Sequence, residues 1–205
     1  MPAVSSCAPS ALRTSVPFTR NRTLSLPTSI ASVLLILPEL SAFFLERLRF
    51  LLEKKGHASD TIESVLTTDC SDVADAAERV EAVEALRGEQ DFAPLATAFK
   101  RMQNILAQGA DSEGEPDLSR MTDDAEKALA LDYLQARGML GNLIADRRWR
   151  DALGIMASLG PSLDRFFTEV LVMAEDPEVK ANRIALLRSI RDQFVRVARF
   201  SEIRG

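Results

Sequence analysis

From residue 38 almost to the C-terminus, apolar residues recur at three- and four-residue spacing, in segments cut by glycine and proline. No run alternates apolar and polar residues as a half-buried strand does, so the pattern predicts an all-α helical bundle. Leu40, Phe43, Phe44, Leu48, Leu51 and Leu52 follow Pro38, which suits a first helical turn, and Gly56 stops that helix. Asp60 with Glu63 reads as the capped start of a short helix to Leu66. Ser71 opens a third helix, with Val73, Ala76, Ala77, Val80, Val83 and Leu86 on one side and Gly88 beyond its end. Asp91 starts a fourth, apolar at Phe92, Leu95, Phe99, Met102 and Leu106. Residues 107–121 read as a polar loop with Gly109, Gly114 and Pro116. Thr122 restarts a helix that Gly138 and Gly141 are expected to break. Further helices are expected over 148–159 and 162–173. Asp176-Pro177, a capping side chain followed by proline, opens a last one reaching about Phe200.

Residues 1–37 differ in kind. They are rich in Ser, Thr and Pro, lack acids and show no period, so they read as a disordered or targeting-like leader, and 38–205 as the folded domain. An acid-free segment bearing Arg13, Arg20 and Arg22 has the character of an organelle transit peptide, although a plain disordered extension, or an artefact of where the reading frame was opened, is the favoured reading.

Charge is unevenly spread. The chain carries 25 Lys+Arg against 30 Asp+Glu, net −5. Residues 39–146 hold 11 basic and 22 acidic residues, whereas 147–205 hold 11 and 8, ten of those cations being arginine. The acidic middle does not attract nucleic acid in bulk. The arginine-rich final third suits bidentate phosphate contact, or pairing with acids on neighbouring helices.

Much chemistry is excluded. Two cysteines and one histidine cannot build a disulfide framework or a four-ligand zinc site. No phosphate-binding loop, dinucleotide fingerprint, Gly-x-Ser-x-Gly elbow or His-Glu-x-x-His occurs. His57 reads as an exposed interhelix residue and Cys70 as an inert thiol. No catalytic residue, metal ligand or bound cofactor is expected of this chain.

Two helices offer binding groups. On the fourth, Phe99, Met102 and Leu106 face inward, leaving Lys100, Arg101 and Asn104 on one flank. Two cations and an amide suit phosphate and a base edge, although spacing alone favours a solvated rim with snorkelling stems. On the last helix Arg188, Arg191, Arg196 and Arg199 cluster within about 140°, opposite Leu187, Ile190, Phe194 and Val197. Arg183 projects onto the apolar stripe, where a guanidinium needs an anionic partner. Glu175 and Asp176 are the nearest candidates, which makes Arg183 a strut between them and the helix, or else places it by a ligand surface.

Four blocks occur in order: Phe99-Lys100-Arg101-x-x-Asn104-Ile105-Leu106, Val172-Met173-Ala174-Glu175-Asp176, Asn182-Arg183-Ile184-Ala185-Leu186-Leu187, and Phe194-x-Arg196-Val197-Ala198-x-Phe200-Ser201. With Leu45-Glu46-Arg47-Leu48 and Ile62-Glu63-x-Val65-Leu66, they resemble the C-terminal region of the bacterial glycyl-tRNA synthetase beta subunit over about residues 38–204. The resemblance implies an all-helical anticodon-binding domain of the type named for an Asp-Ala-Leu-Arg pattern. It implies binding of tRNA-Gly by Lys100, Arg101, Asn104, Arg188, Arg191, Arg196 and Arg199. It further implies a role in a cytoplasmic ligase whose separate alpha subunit activates glycine with ATP. The implied partners are that alpha subunit and the rest of the beta subunit, of which this chain is expected to be a fragment. Residues 1–37 fall outside the resemblance. The alternatives are an arginyl-tRNA synthetase-like domain, against which the Val-Met-Ala-Glu-Asp block speaks, and a non-enzymatic helical interaction module.

Overall fold

The structure, a computed structural model, describes residues 28–68, 70–90, 92–108 and 114–203. The chain divides into two compact units, Met1–Leu37 and Pro38–Gly205. Among the described residues it is helical throughout, without strands: α1 (Thr28–Lys54), α2 (Ser59–Leu66), α3 (Val73–Arg87), α4 (Phe92–Gln108), α5 (Asp124–Ala145), α6 (Trp149–Ala157), α7 (Gly160–Glu169) and α8 (Pro177–Val195). Single 3-10 turns cover Leu118–Arg120 and Phe200–Glu202. The transit-peptide character of the leader lies outside the described residues, as does the Asp91 cap.

Several boundaries differ from the expected ones, each for a local reason. α1 begins at Thr28, so Pro38 lies inside a helix and the end of the supposed leader is helical. A proline removes one hydrogen bond and crowds the turn before it, a cost of about 3 kcal/mol, which a long helix can absorb. Gly56 does end the first helical stretch soon after Lys54; its φ of 92° is one that side chains resist. Asp72, not Ser71, caps α3, its carboxylate accepting from the backbone of Ala74 and Asp75. At the start of α2, Asp60 does not cap; it accepts from Arg87 at 2.5 Å, while Glu63 pairs with Arg49 at 2.8 Å. Gly138 and Gly141 do not break α5, which runs on to Ala145 as an ordinary helix.

α7 ends at Glu169 rather than near Met173, and α8 at Val195 rather than Phe200. The core explains the second. Phe99 of α4 meets Phe194 of α8 at 5.4 Å between ring centroids, and Phe200 completes the cluster at 5.7 and 5.6 Å. Phe200 reaches them because the chain leaves the helix after Val195 and turns back. The Arg199 N–H donates to the Ser64 carbonyl at 2.7 Å, fastening the turn to α2. On the other side, α5 packs against α6, α7 and α8, and the Tyr133 hydroxyl donates to the Ser189 carbonyl at 3.0 Å. Burial pushes the Tyr133 hydroxyl pKa up.

Candidate nucleic-acid interface

α4 carries an inward stripe of Leu95, Phe99, Met102 and Leu106, all buried. That stripe fixes what faces out: Lys100, Arg101 and Asn104 are exposed. They do not form one ledge. Lys100 lines an open groove of about 530 Å3, with Ala93, Ala96 and Thr97 along α4 and Ser201, Glu202 and Ile203 from the C-terminal turn opposite. Asn104, four residues on, continues the Lys100 row. Arg101 turns the other way. Its Nη2 donates to the Phe167 carbonyl in the last turn of α7 at 2.8 Å, and its guanidinium lies 5.0 Å from the Phe167 ring centroid. A cation at a helix C-terminus and over an aromatic face is doubly held, so Arg101 joins α4 to α7.

The C-terminal arginines are also divided. Arg188 is half-buried. Arg191 is half-buried and held by its neighbour Asp192, with Nε at 2.9 Å and Nη2 at 2.6 Å from the carboxylate. Arg196 is exposed beyond the last helical residue and donates to Gln193 at 3.2 Å. Arg199 is exposed too, but the chain has left the helix before it, so the helical projection that grouped it with the others does not hold. Arg199 lies two residues before Ser201, which lines the groove with Lys100.

Arg183 is 5% exposed and has a different set of partners from those expected. It donates to the Leu171 carbonyl at 2.9 Å, to Thr122 Oγ1 at 3.2 Å, to Asp123, and to Glu126 Oε2 at 3.2 Å. Glu126 is fully buried, near the start of α5. Glu175 is exposed, and Asp176 caps α8, accepting from Glu178 N at 2.8 Å and Val179 N at 3.4 Å. Sequence distance pointed to Glu175 and Asp176; the fold brings α5 closer. Leu171, just beyond the extended cap residue Val170 that ends α7, thus gives its carbonyl to this guanidinium.

The groove residues Ala93, Ala96, Thr97 and Ser201 were not among the sequence candidates. Their signal was small side chains at i, i+3 and i+4 ahead of Lys100, but such a stripe equally fits close helix packing. Arg79 was also passed over; it is 2% exposed, bound to Asp75 at 2.9 Å and lies 5.7 Å from the Trp149 ring centroid. Cys70 is half-buried, its thiol 3.3 Å from the Val65 carbonyl. His57 is half-buried beyond the end of α1. No helix among the described residues is long and apolar enough to cross a membrane.

Residues 95–197, from within α4 to just past the end of α8, match the DALR anticodon binding domain. The chain belongs to that family. This DALR domain includes Lys100, Arg101, Asn104 and the Arg183 cluster, and leaves out α1–α3 and the C-terminal turn. The chain is similar to the glycine–tRNA ligase beta subunits of Aromatoleum aromaticum (35% identity over 80% of this chain and 24% of that protein) and Myxococcus xanthus (39% over 80% and 23%). The beta subunit of Acidithiobacillus ferrooxidans is 37% identical over 92% of the chain and 26% of its own length. A match that long takes in part of residues 1–37, so similarity does not stop at Pro38 as the sequence blocks had suggested. The chain spans about a quarter of the length of these relatives.

Proposed function

We propose that the chain is the anticodon-binding part of a glycine–tRNA ligase beta subunit, holding tRNA-Gly along the α4 face and the groove beside it. Lys100 meets a phosphate there, and Asn104 offers an amide that both donates to and accepts from a base edge. Arg196 and Arg199 add exposed cations, while Arg101 is committed to joining α4 to α7 and Arg191 is held by Asp192 on its own helix. Attachment of glycine, with ATP, takes place on the alpha subunit in the cytoplasm, and this chain holds neither ATP nor a catalytic group.

The observation that carries the reading is the family match over residues 95–197, whose first helix turns Lys100 and Asn104 to solvent. A net charge of −5 does not oppose it, because unpaired anticodon bases are read by stacking and polar groups rather than by a broad basic surface.

Fluorescence anisotropy with labelled tRNA-Gly and an unrelated tRNA, over a range of salt, tests it. The wild-type chain binds tRNA-Gly more tightly. Lys100→Ala weakens both complexes about tenfold and lowers the salt slope by about one. Asn104→Ala narrows the preference for tRNA-Gly. Equal affinity of the wild type for both RNAs refutes the proposal.

A further inference from the structure

Tertiary packing inside the unit Pro38–Gly205 leaves one helix face without a role. Among the described residues ten large apolar side chains are exposed, and five of them, Leu40, Phe43, Phe44, Phe50 and Leu51, lie within twelve residues of α1. At 100° per residue these five fall within about 120°, and Leu52, buried in the core, lies about 180° from Phe43. Phe43 is 64% exposed, and its ring meets that of Phe44 edge-on at 5.8 Å. Together they present on the order of 500 Å2, at the upper end of what a monomer leaves open. A helix apolar on both sides is enclosed on both sides.

The charges on this face narrow the occupant. Arg47 and Lys54 fall in the middle of the strip and lie over Phe50, at 5.7 and 4.8 Å from the ring centroid. The exposed acids Glu46 and Glu53 run along one edge. The two cations are engaged with the Phe50 ring and are matched by Glu46 and Glu53, so the face offers little net charge to a phosphate backbone. The open side chains of Leu40, Phe43, Phe44 and Leu51 are mixed aliphatic and aromatic rather than a row of rings for bases. A protein surface with an apolar hollow and its own carboxylates fits. The similarity to the Acidithiobacillus ferrooxidans protein covers 92% of this chain, enough to include all of the strip, and only 26% of that protein. The strip therefore belongs to sequence shared with proteins about four times as long, whose remaining domains are available to cover it.

We infer that the face of α1 bearing Leu40, Phe43, Phe44 and Leu51 docks onto the remaining three quarters of a glycine–tRNA ligase beta subunit. Phe43 and Leu51 enter an apolar hollow there, and Arg47 and Lys54 meet acids on its rim. The inference rests on the beta-subunit reading above, and tRNA affinity is measured separately so that the two can fail apart.

The experiment titrates the whole chain, wild type and Phe43→Glu/Leu51→Glu, against the Myxococcus xanthus beta subunit shortened by the quarter this chain matches and shown by circular dichroism to be folded. Both substituted residues are exposed, so the variant retains the helicity and melting temperature of the wild type, which is verified first. Binding by the wild type that weakens at least tenfold in the variant, with unchanged affinity for tRNA-Gly, is the expected result. No binding by the wild type, or equal binding by both, overturns the inference. So does a wild-type dimer in light scattering that the variant abolishes, which makes the face a contact between two copies. A fall in tRNA affinity with protein binding intact overturns it in favour of RNA. Absence of tRNA binding by both chains sinks the functional proposal and leaves the docking result standing.

Discussion

Replacing Arg183 by methionine is expected to be among the most damaging single changes in the folded unit. Arg183 is 5% exposed and Glu126 is fully buried, so the substitution leaves a carboxylate inside the protein without its counter-ion. It also strips the Leu171 carbonyl and Thr122 Oγ1 of a donor. Breaking a buried pair from one side typically costs about 3–5 kcal/mol. For a unit of this size that corresponds to a fall in melting temperature of roughly 6–20 °C. Asp123 adds little to this, because its side chain is 48% exposed and water can replace the arginine. The pair itself is imperfectly served: Arg183 Nε and Glu126 Oε1 have no hydrogen-bond partner among the described residues. The double variant Arg183→Met/Glu126→Leu is therefore expected to recover most of the loss, since an apolar replacement of a partly satisfied pair is often neutral or better. Urea unfolding of the wild type, both single variants and the double variant gives the coupling directly. Arg196→Ala, at an exposed position, serves as the surface reference and costs under about 1 kcal/mol. A loss for Arg183→Met no larger than that reference, or single losses that simply add in the double variant, refutes the reasoning.

Two further changes test local devices. Asp176→Ala removes the acceptor for two orphan N–H groups at the start of α8 and is expected to cost about 1 kcal/mol, read by urea unfolding; Asp176→Asn should cost much less. The Arg147 guanidinium, then the backbone N–H groups of Asp75 and Ala74, hold the Asp72 carboxyl below its ordinary range. A depressed folded pKa contributes stability above the unfolded value of about 4 and loses it as the pH falls further. The gap in melting temperature between wild type and Asp72→Asn should thus stay constant from pH 7 to 5 and close below about pH 4; a gap that widens on acidification contradicts this.

The helical class was legible because core faces repeat at helical spacing over most of the chain. Leu95, Phe99, Met102 and Leu106 marked the inner side of α4 unaided, and so settled that Lys100 and Asn104 look outward. What sequence could not supply was contact between distant segments. Arg101 and Lys100 are neighbours with equal charge, and only the position of Phe167, 66 residues away, sends them to different work. Arg183 was correctly suspect as a cation on an apolar stripe, yet its carboxylate partner lies 57 residues back in α5. The early end of α8 followed the same rule. Local propensity favours continuing to Phe200, and the aromatic cluster with Phe99 and Phe194 overrides it. Gly138 and Gly141 misled in the opposite direction, because glycine is only a weak helix breaker once packing on either side holds the helix.

The divergence of Lys100 and Arg101 also bears on which exchanges between the two basic residue types are harmless. An arginine at position 100 keeps a positive end in open solvent, and whatever it meets there still finds a charge. A lysine at position 101 does not replace what it removes, since a round ammonium cannot lie flat on the Phe167 ring while donating sideways to the same residue's carbonyl. Two adjacent codons for the same charge thus stand under different rules, one tolerant of shape and the other defined by it.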